Sequence, residues 1–260
     1  MDYKIPENIL EFLKFQKKLV RKYHAYIKDT MENNYKKAAL LVYWLNDYLH
    51  YIKAEATFNP SMNITYKRGQ VVFVNFGYRV GTELGGDHYG IVLDVKNSKY
   101  SKTVTVLPLK SNKNKNTSYS KIYYFPLGDK IKLLLKGKAN MIIDSNFYEA
   151  IELARQINIA KESDSEYNPK QNLEIQRKFM RLKRNRRIAD SILSYAQKLN
   201  NESVADVGQI ITISKQRIKH PCKPHDVLTG VIIDQETMNS ISEQLKKFYV
   251  GIWLIANYVL

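Results

Sequence analysis

Five of the chain's eleven glycines fall between Gly77 and Gly90, four of them in the run VGTELGGDHYGIVLD, and His88 stands between the last two of them. Flanking strands favour branched residues, whereas glycine permits positive φ and lets a backbone lie close to another surface. Two readings follow, a shaped loop that lies against a ligand and a long hairpin turn. Histidine, with an ordinary pKa of about 6.5, is the side chain best suited to carry a proton at neutral pH. Thr82 and Glu83 lie in the same run, and Arg79 stands just before it. The fingerprint G-x-G-x-x-G is absent, so a dinucleotide pocket is not expected.

Two further stretches carry positive charge that could meet phosphate. RKFMRLKRNRR, residues 177–187, holds seven Lys or Arg and no acid, including Arg177, Arg181 and Arg184. Its apolar residues keep helical spacing, so it reads as a helix packed on one side and cationic on the other, able to track a phosphate backbone or simply to face solvent. KSNKNKNTSYSK, with Lys113 and Lys115, is polar and basic. The nineteen tyrosines could stack on bases, although packing accounts for most of them. His24, His50, His220 and His225 read as structural or exposed, and Cys222 is the single cysteine, so neither a disulfide nor a metal site is expected.

These residues need elements to position them. Ile9, Leu13, Gln16, Val20, Tyr23 and Ile27 step at helical spacing, and so do Ala38, Val42, Leu45, Leu49 and Ile52. The polar KDTMENN between them predicts an antiparallel helical hairpin, ended by FNPSMN. Short β-type runs follow: QVVFVNF, YGIVLDV, TVTVLPL and KIYYFPL. Helical spacing returns in DSNFYEAIELARQI and from Pro169 to Leu199, with Ile175, Phe179, Leu182, Ala189 and Leu193 on one face. A last β-type stretch, DVGQIITISKQRI, precedes a helix-like end in which FYVGIWLIANYVL reads as a buried terminal helix or strand. The expected organisation is a hairpin over 1–60 and a β domain over 61–260 that carries a helical insertion at about 130–199.

The whole chain limits the function. At 260 residues and 44% apolar content it can bury a sizeable core, and no run reaches the roughly 20 apolar residues that span a bilayer. Nothing at the start has the pattern of a secretion signal, so a cytoplasmic protein is expected. The formal charge of +16 fits a polyanionic partner, nucleic acid first among them.

Three pieces together resemble the PemK/MazF toxins of bacterial toxin–antitoxin systems. KRGQVVFVNFGYRVGTELGG is similar to the family's opening strand and G-[ST]-E-x-G-G loop, TVTVLPLKS to its next core strand, and SVADVGQIITISKQRI to a late strand ending in Lys-Gln-Arg. The resemblance covers about 67–127 and 201–255. It implies an α+β protein built on a small SH3-like β-barrel, with the helical hairpin and insertion added. It also implies a metal-independent, sequence-selective endoribonuclease that needs no cofactor, cuts single-stranded RNA, is neutralised by an antitoxin and forms a homodimer. The glycine run would be the loop beside the RNA groove. Where the family usually has Arg-Pro, this chain has His88 and Tyr89; where it has a threonine after the core strand, this chain has Lys110 followed by Ser111. Metal-free cleavage needs a base for the 2′-hydroxyl, a donor for the leaving oxygen and positive charge for the phosphorane. His88 would shuttle the proton, with Lys110 and Ser111 as electrophilic support. RNA contacts would come from Arg79, Thr82, Glu83, Lys113, Lys115, Arg177, Arg181 and Arg184. Because fold does not fix chemistry, a catalytically inactive nucleic-acid or protein-binding module and a gyrase-directed toxin are the alternatives.

Overall fold

The computed structural model describes residues 2, 4–112, 122–164, 166–199 and 202–251. They fall into two compact units that the chain enters alternately: residues 1–58 with 76–86, and residues 59–75 with 87–260.

In the first unit, helix α1 (Ile9–Asn33) and helix α2 (Tyr35–Ala54) form the expected hairpin. The polar run expected to connect them is itself helical as far as Asn33, because it contains no glycine or proline to stop it. Asn34 alone makes the turn, its side chain accepting a hydrogen bond from the Lys37 amide. Segment 76–86 is the glycine run, and it packs with this hairpin.

In the second unit, β1 (Val71–Asn75), β2 (Asp87–Val92) and β3 (Thr103–Ser111) are antiparallel neighbours. β4 (Tyr124–Gly128), β5 (Ser203–Asp206), β6 (Ile211–Ser214) and β7 (Ile218–His220) complete the sheet. Its order is β4-β5-β3-β2-β1-β7, with β6 also on β3. β3 therefore serves two neighbours on one edge in succession: β6 along Thr103–Val106, then β5 along Leu109–Ser111. A 3₁₀ turn at Val207–Gln209 carries the chain from β5 to β6.

Alternation gives the sheet two apolar faces. Val71, Ile91, Leu107, Leu109 and Ala205 pack beneath α3 (Lys130–Ser163), α4 (Leu173–Gln197) and α5 (Gln235–Val250). Val72, Val74, Val92, Val104 and Val106 face the other way and are just as fully buried. Burial on both faces means that the sheet curls over its second face. Strands β6 and β7, on β3 and β1 respectively, are joined by a single 3₁₀ turn at Lys215–Arg217. No β6–β7 ladder forms among the described residues, so the expected barrel is not closed.

The helices depart from expectation in two places. α3 begins at Lys130, well before the run DSNFYEAIELARQI, and continues unbroken into it. On α4 the buried positions are Ala189, Ile192 and Ala196, while Phe179 is 62% exposed, because it lies off the line that those residues continue. The apolar run beyond Gly251 lies outside the described residues.

Candidate functional site

Strand β2 fixes the direction of His88. Its neighbour Tyr89 turns toward the helices, with its ring 5.1 Å from Phe73 and its hydroxyl 2.7 Å from the Tyr195 hydroxyl on α4. His88 must then point to the opposite face, the face of Val74, with which it pairs across β1. It is half-buried at the end of the strand.

Lys110 lies on the same face. In β3, Leu107 and Leu109 belong to the core under the helices, so Pro108 and Lys110 face away from it. The β2–β3 ladder runs as far as Gly90 opposite Pro108. Counted two residues further on each strand, that register brings His88 opposite Lys110. On its other edge, which β6 occupies as far as Val106, β3 is paired with β5, where Lys110 is opposite Val204.

That change of partner gives Lys110 a carboxylate. Its Nζ is 2.5 Å from Oδ2 of Asp206, an ion-pair contact rather than an aligned hydrogen bond, and 5.3 Å from the Tyr124 ring centre. Asp206 is opposite Tyr124 on β4, so the three side chains share one face across β3, β5 and β4. The Asp206 side chain is 3% exposed and that of Lys110 31%. Burial pulls the Lys110 ammonium toward a lower pKa, but Asp206 and Tyr124 outweigh it and hold the group above the ordinary lysine value. Lys110 is thus a fixed cation. Ser111, at the exposed end of the strand, is opposite Ser203.

Asp206 was not among the expected site residues. Its only signal in the sequence is a single acid inside the short apolar stretch SVADVGQ, and its partner lies far back along the chain. Two more cations stand at this end of the sheet, neither among the expected site residues. Arg217 Nε donates to the Asn75 carbonyl at 2.8 Å, and Lys219 pairs with Asp87 at 2.7 Å. Lys215, from the same Lys-Gln-Arg stretch, is buried and donates to the Ser98 carbonyl at 2.9 Å.

The glycine run is a fastened loop within the first unit. The Gly86 amide donates to the Gly77 carbonyl at 2.7 Å, and the Phe76 amide to the Gly86 carbonyl at 2.8 Å. Gly77 has φ +81°, and a Cβ there would meet the Trp44 ring of α2 at 2.8 Å. At Gly85 a Cβ would meet the Gly77 carbonyl at 2.7 Å, so the two sides of the neck close only over glycines. Within the loop Arg79 Nε donates to the Phe76 carbonyl, and its guanidinium is 3.9 Å from Glu83. Glu83 and Thr82 are exposed.

On α4, Arg177, Arg181 and Arg184 project from one exposed face together with Met180, Lys183 and Arg187. Arg181 is tied to Glu149 of α3 through its Nε at 3.1 Å. Lys113 and Lys115 lie outside the described residues. Among the described residues no group of three His, Cys, Asp or Glu side chains is placed to hold a metal ion, and no helix is long and apolar enough to cross a membrane.

A small curled antiparallel sheet backed by helices, with a lysine and a histidine on its other face, defines an α+β protein. Residues 67–146 match the family described as PemK-like, MazF-like toxin of type II toxin-antitoxin system, as the sequence resemblance implied. The matched segment runs from the start of the sheet through the first half of α3, so it takes in part of the helical segment expected to be an insertion. No curated protein matches the chain.

Proposed function

We propose that this protein is a toxin of a type II toxin–antitoxin system that cleaves single-stranded RNA without a metal ion. The observation that carries the reading is the placement of His88 and Lys110 on one face of neighbouring strands, inside the segment that matches the toxin family. The curled sheet, with β6 and β7 joined by one 3₁₀ turn, supports an SH3-like scaffold. Residues 1–60 would be a hairpin added to a 61–260 domain that carries the helices near 130–199.

The chemistry needs few parts. His88 takes the proton from a 2′-hydroxyl, whose oxygen attacks the adjacent phosphorus. The P–O5′ bond breaks, the protonated imidazole returns its proton to the leaving oxygen, and the products are a 2′,3′-cyclic phosphate and a 5′-hydroxyl. An ammonium has three donor hydrogens, so Lys110 can keep its pairing with Asp206 and still direct a hydrogen toward a phosphorane oxygen. Ser111 supplies a further donor. Arg79, with Thr82 and Glu83 on the loop, Lys113, Lys115, and Arg177, Arg181 and Arg184 on α4 would hold the RNA backbone. A cognate antitoxin would be the protein partner, a homodimer the working assembly, and the cytoplasm the setting.

The engagement of Lys110 by a buried carboxylate favours a second reading, a module that binds RNA without cutting it. Incubating the protein and its His88→Ala variant with mixed-sequence RNA in EDTA separates the two. The proposal requires cleavage that falls by about 10²–10⁴-fold in the variant, the span of general acid–base catalysis. Intact RNA that remains bound to the wild type would establish the second reading in its place.

A further inference from the structure

The hairpin of the first unit leaves most of its apolar surface uncovered. In α1 only Thr30 is buried, and in α2 only Ala38 and Leu41, all three close to the turn at Asn34. Away from the turn, Phe12 is 48% exposed, Phe15 54% and Val20 56%. On α2, Leu45, Tyr48, Leu49 and Ile52 are exposed as well. Helical spacing puts each set on one stripe, so two antiparallel helices present apolar stripes that neither covers for the other. A contiguous apolar surface of this kind marks an interaction site.

Charge says what would cover it. From Phe12 to Lys28, α1 carries Lys14, Lys17, Lys18, Arg21, Lys22 and Lys28 with no Asp or Glu among them. A second copy of the chain would bring this cationic run against its like. An anionic bilayer would suit the same charge, and vesicle binding distinguishes it from a protein partner. Tyr23 and Tyr48 add exposed phenols, which a protein partner can engage with both ring contacts and hydrogen bonds.

We propose that the open face of α1 and α2 receives one amphipathic helix of a partner protein, whose apolar stripe is bordered by acidic residues. Its leucine-like side chains would fill the space between the Phe15–Leu19 and Leu45–Leu49 segments, and its carboxylates would meet Lys17 and Lys22 at the margins of the α1 stripe. Such a mode is helix-in-groove recognition with electrostatic selection.

The full-length protein can be titrated by calorimetry with a synthetic amphipathic peptide that has leucine on one face and glutamate beside it. The expected result is saturable one-to-one binding. It should weaken about tenfold or more in Leu19→Asp and in the double variant Lys17→Glu, Lys22→Glu, both with an unchanged circular dichroism spectrum. These side chains are exposed, so the variants should fold. Equal binding of a peptide with lysine in place of glutamate would overturn the proposal, and so would no binding at all. Capture by phosphatidylglycerol vesicles without peptide binding would assign the face to a membrane. A dimer in light scattering that Leu19→Asp dissolves would assign it to a second copy. The readout is binding, so it is independent of whether His88 cuts RNA.

Discussion

His88 and Lys110 differ in how far their setting could be foreseen. A histidine set among glycines at the head of an apolar strand is a local signal, and strand alternation then fixes its face. Asp206 joins Lys110 only because β5, a strand that arrives from beyond two helices, takes over from β6 along the edge of β3 away from β2, and nothing near either residue in the sequence records that. The pair has a measurable consequence. Lys110→Met should destabilise the fold by about 1–3 kcal/mol, because it leaves a buried carboxylate unpaired. The double variant Lys110→Met, Asp206→Asn should recover part of that loss in urea unfolding; losses that simply add would show that the two groups are not coupled. Gly77 makes a second case. Substitution by alanine forces a side chain into positive φ and against the Trp44 ring, so Gly77→Ala should cost about 1–3 kcal/mol and lower the melting temperature.

At the scale of elements, the hairpin and the first four strands were legible because their apolar periods are regular and their breaks are marked by Asn, Pro or Gly. The limits of α1 and α3 were not, since polar residues such as Lys28–Asn33 read as a connection although they have adequate helix propensity. Nor could the sequence show which strand α4 would cover. The answer is β2, through the Tyr89–Tyr195 hydroxyl pair. Burial raises both phenols above the ordinary tyrosine value, Tyr89 with the help of its bond to Tyr195 and Tyr195 in spite of it. A phenol whose folded pKa is raised contributes stability that is complete below the unfolded value of about 10 and is lost as pH rises past it. Thermal stability should therefore fall steeply above about pH 10, and less steeply in the double variant Tyr89→Phe, Tyr195→Phe. Superimposable pH profiles would show that this contact does not hold α4 to the sheet.

The whole molecule combines a sheet that carries the matched toxin segment, a helical unit that takes the glycine loop as its own, and a charge of +16. Charge and composition pointed to nucleic acid without pointing to a surface. The structure puts Arg177 and Arg184 on an exposed helix face, where each phosphate contact with a single strand should contribute about 0.7 to the salt dependence of binding. Arg177→Gln with Arg184→Gln should lower the slope of log K against log salt by about 1.4, and an unchanged slope would remove α4 from the RNA path. The reaction itself leaves a signature on its products. Its most direct test is to treat RNA with the wild-type protein in EDTA and identify the chemistry of the new ends. Metal-free cleavage through the 2′-hydroxyl predicts 2′,3′-cyclic phosphates and 5′-hydroxyls that recur at one short sequence and vanish in His88→Ala. RNA left intact by the folded protein, or 5′-phosphate ends, would contradict it.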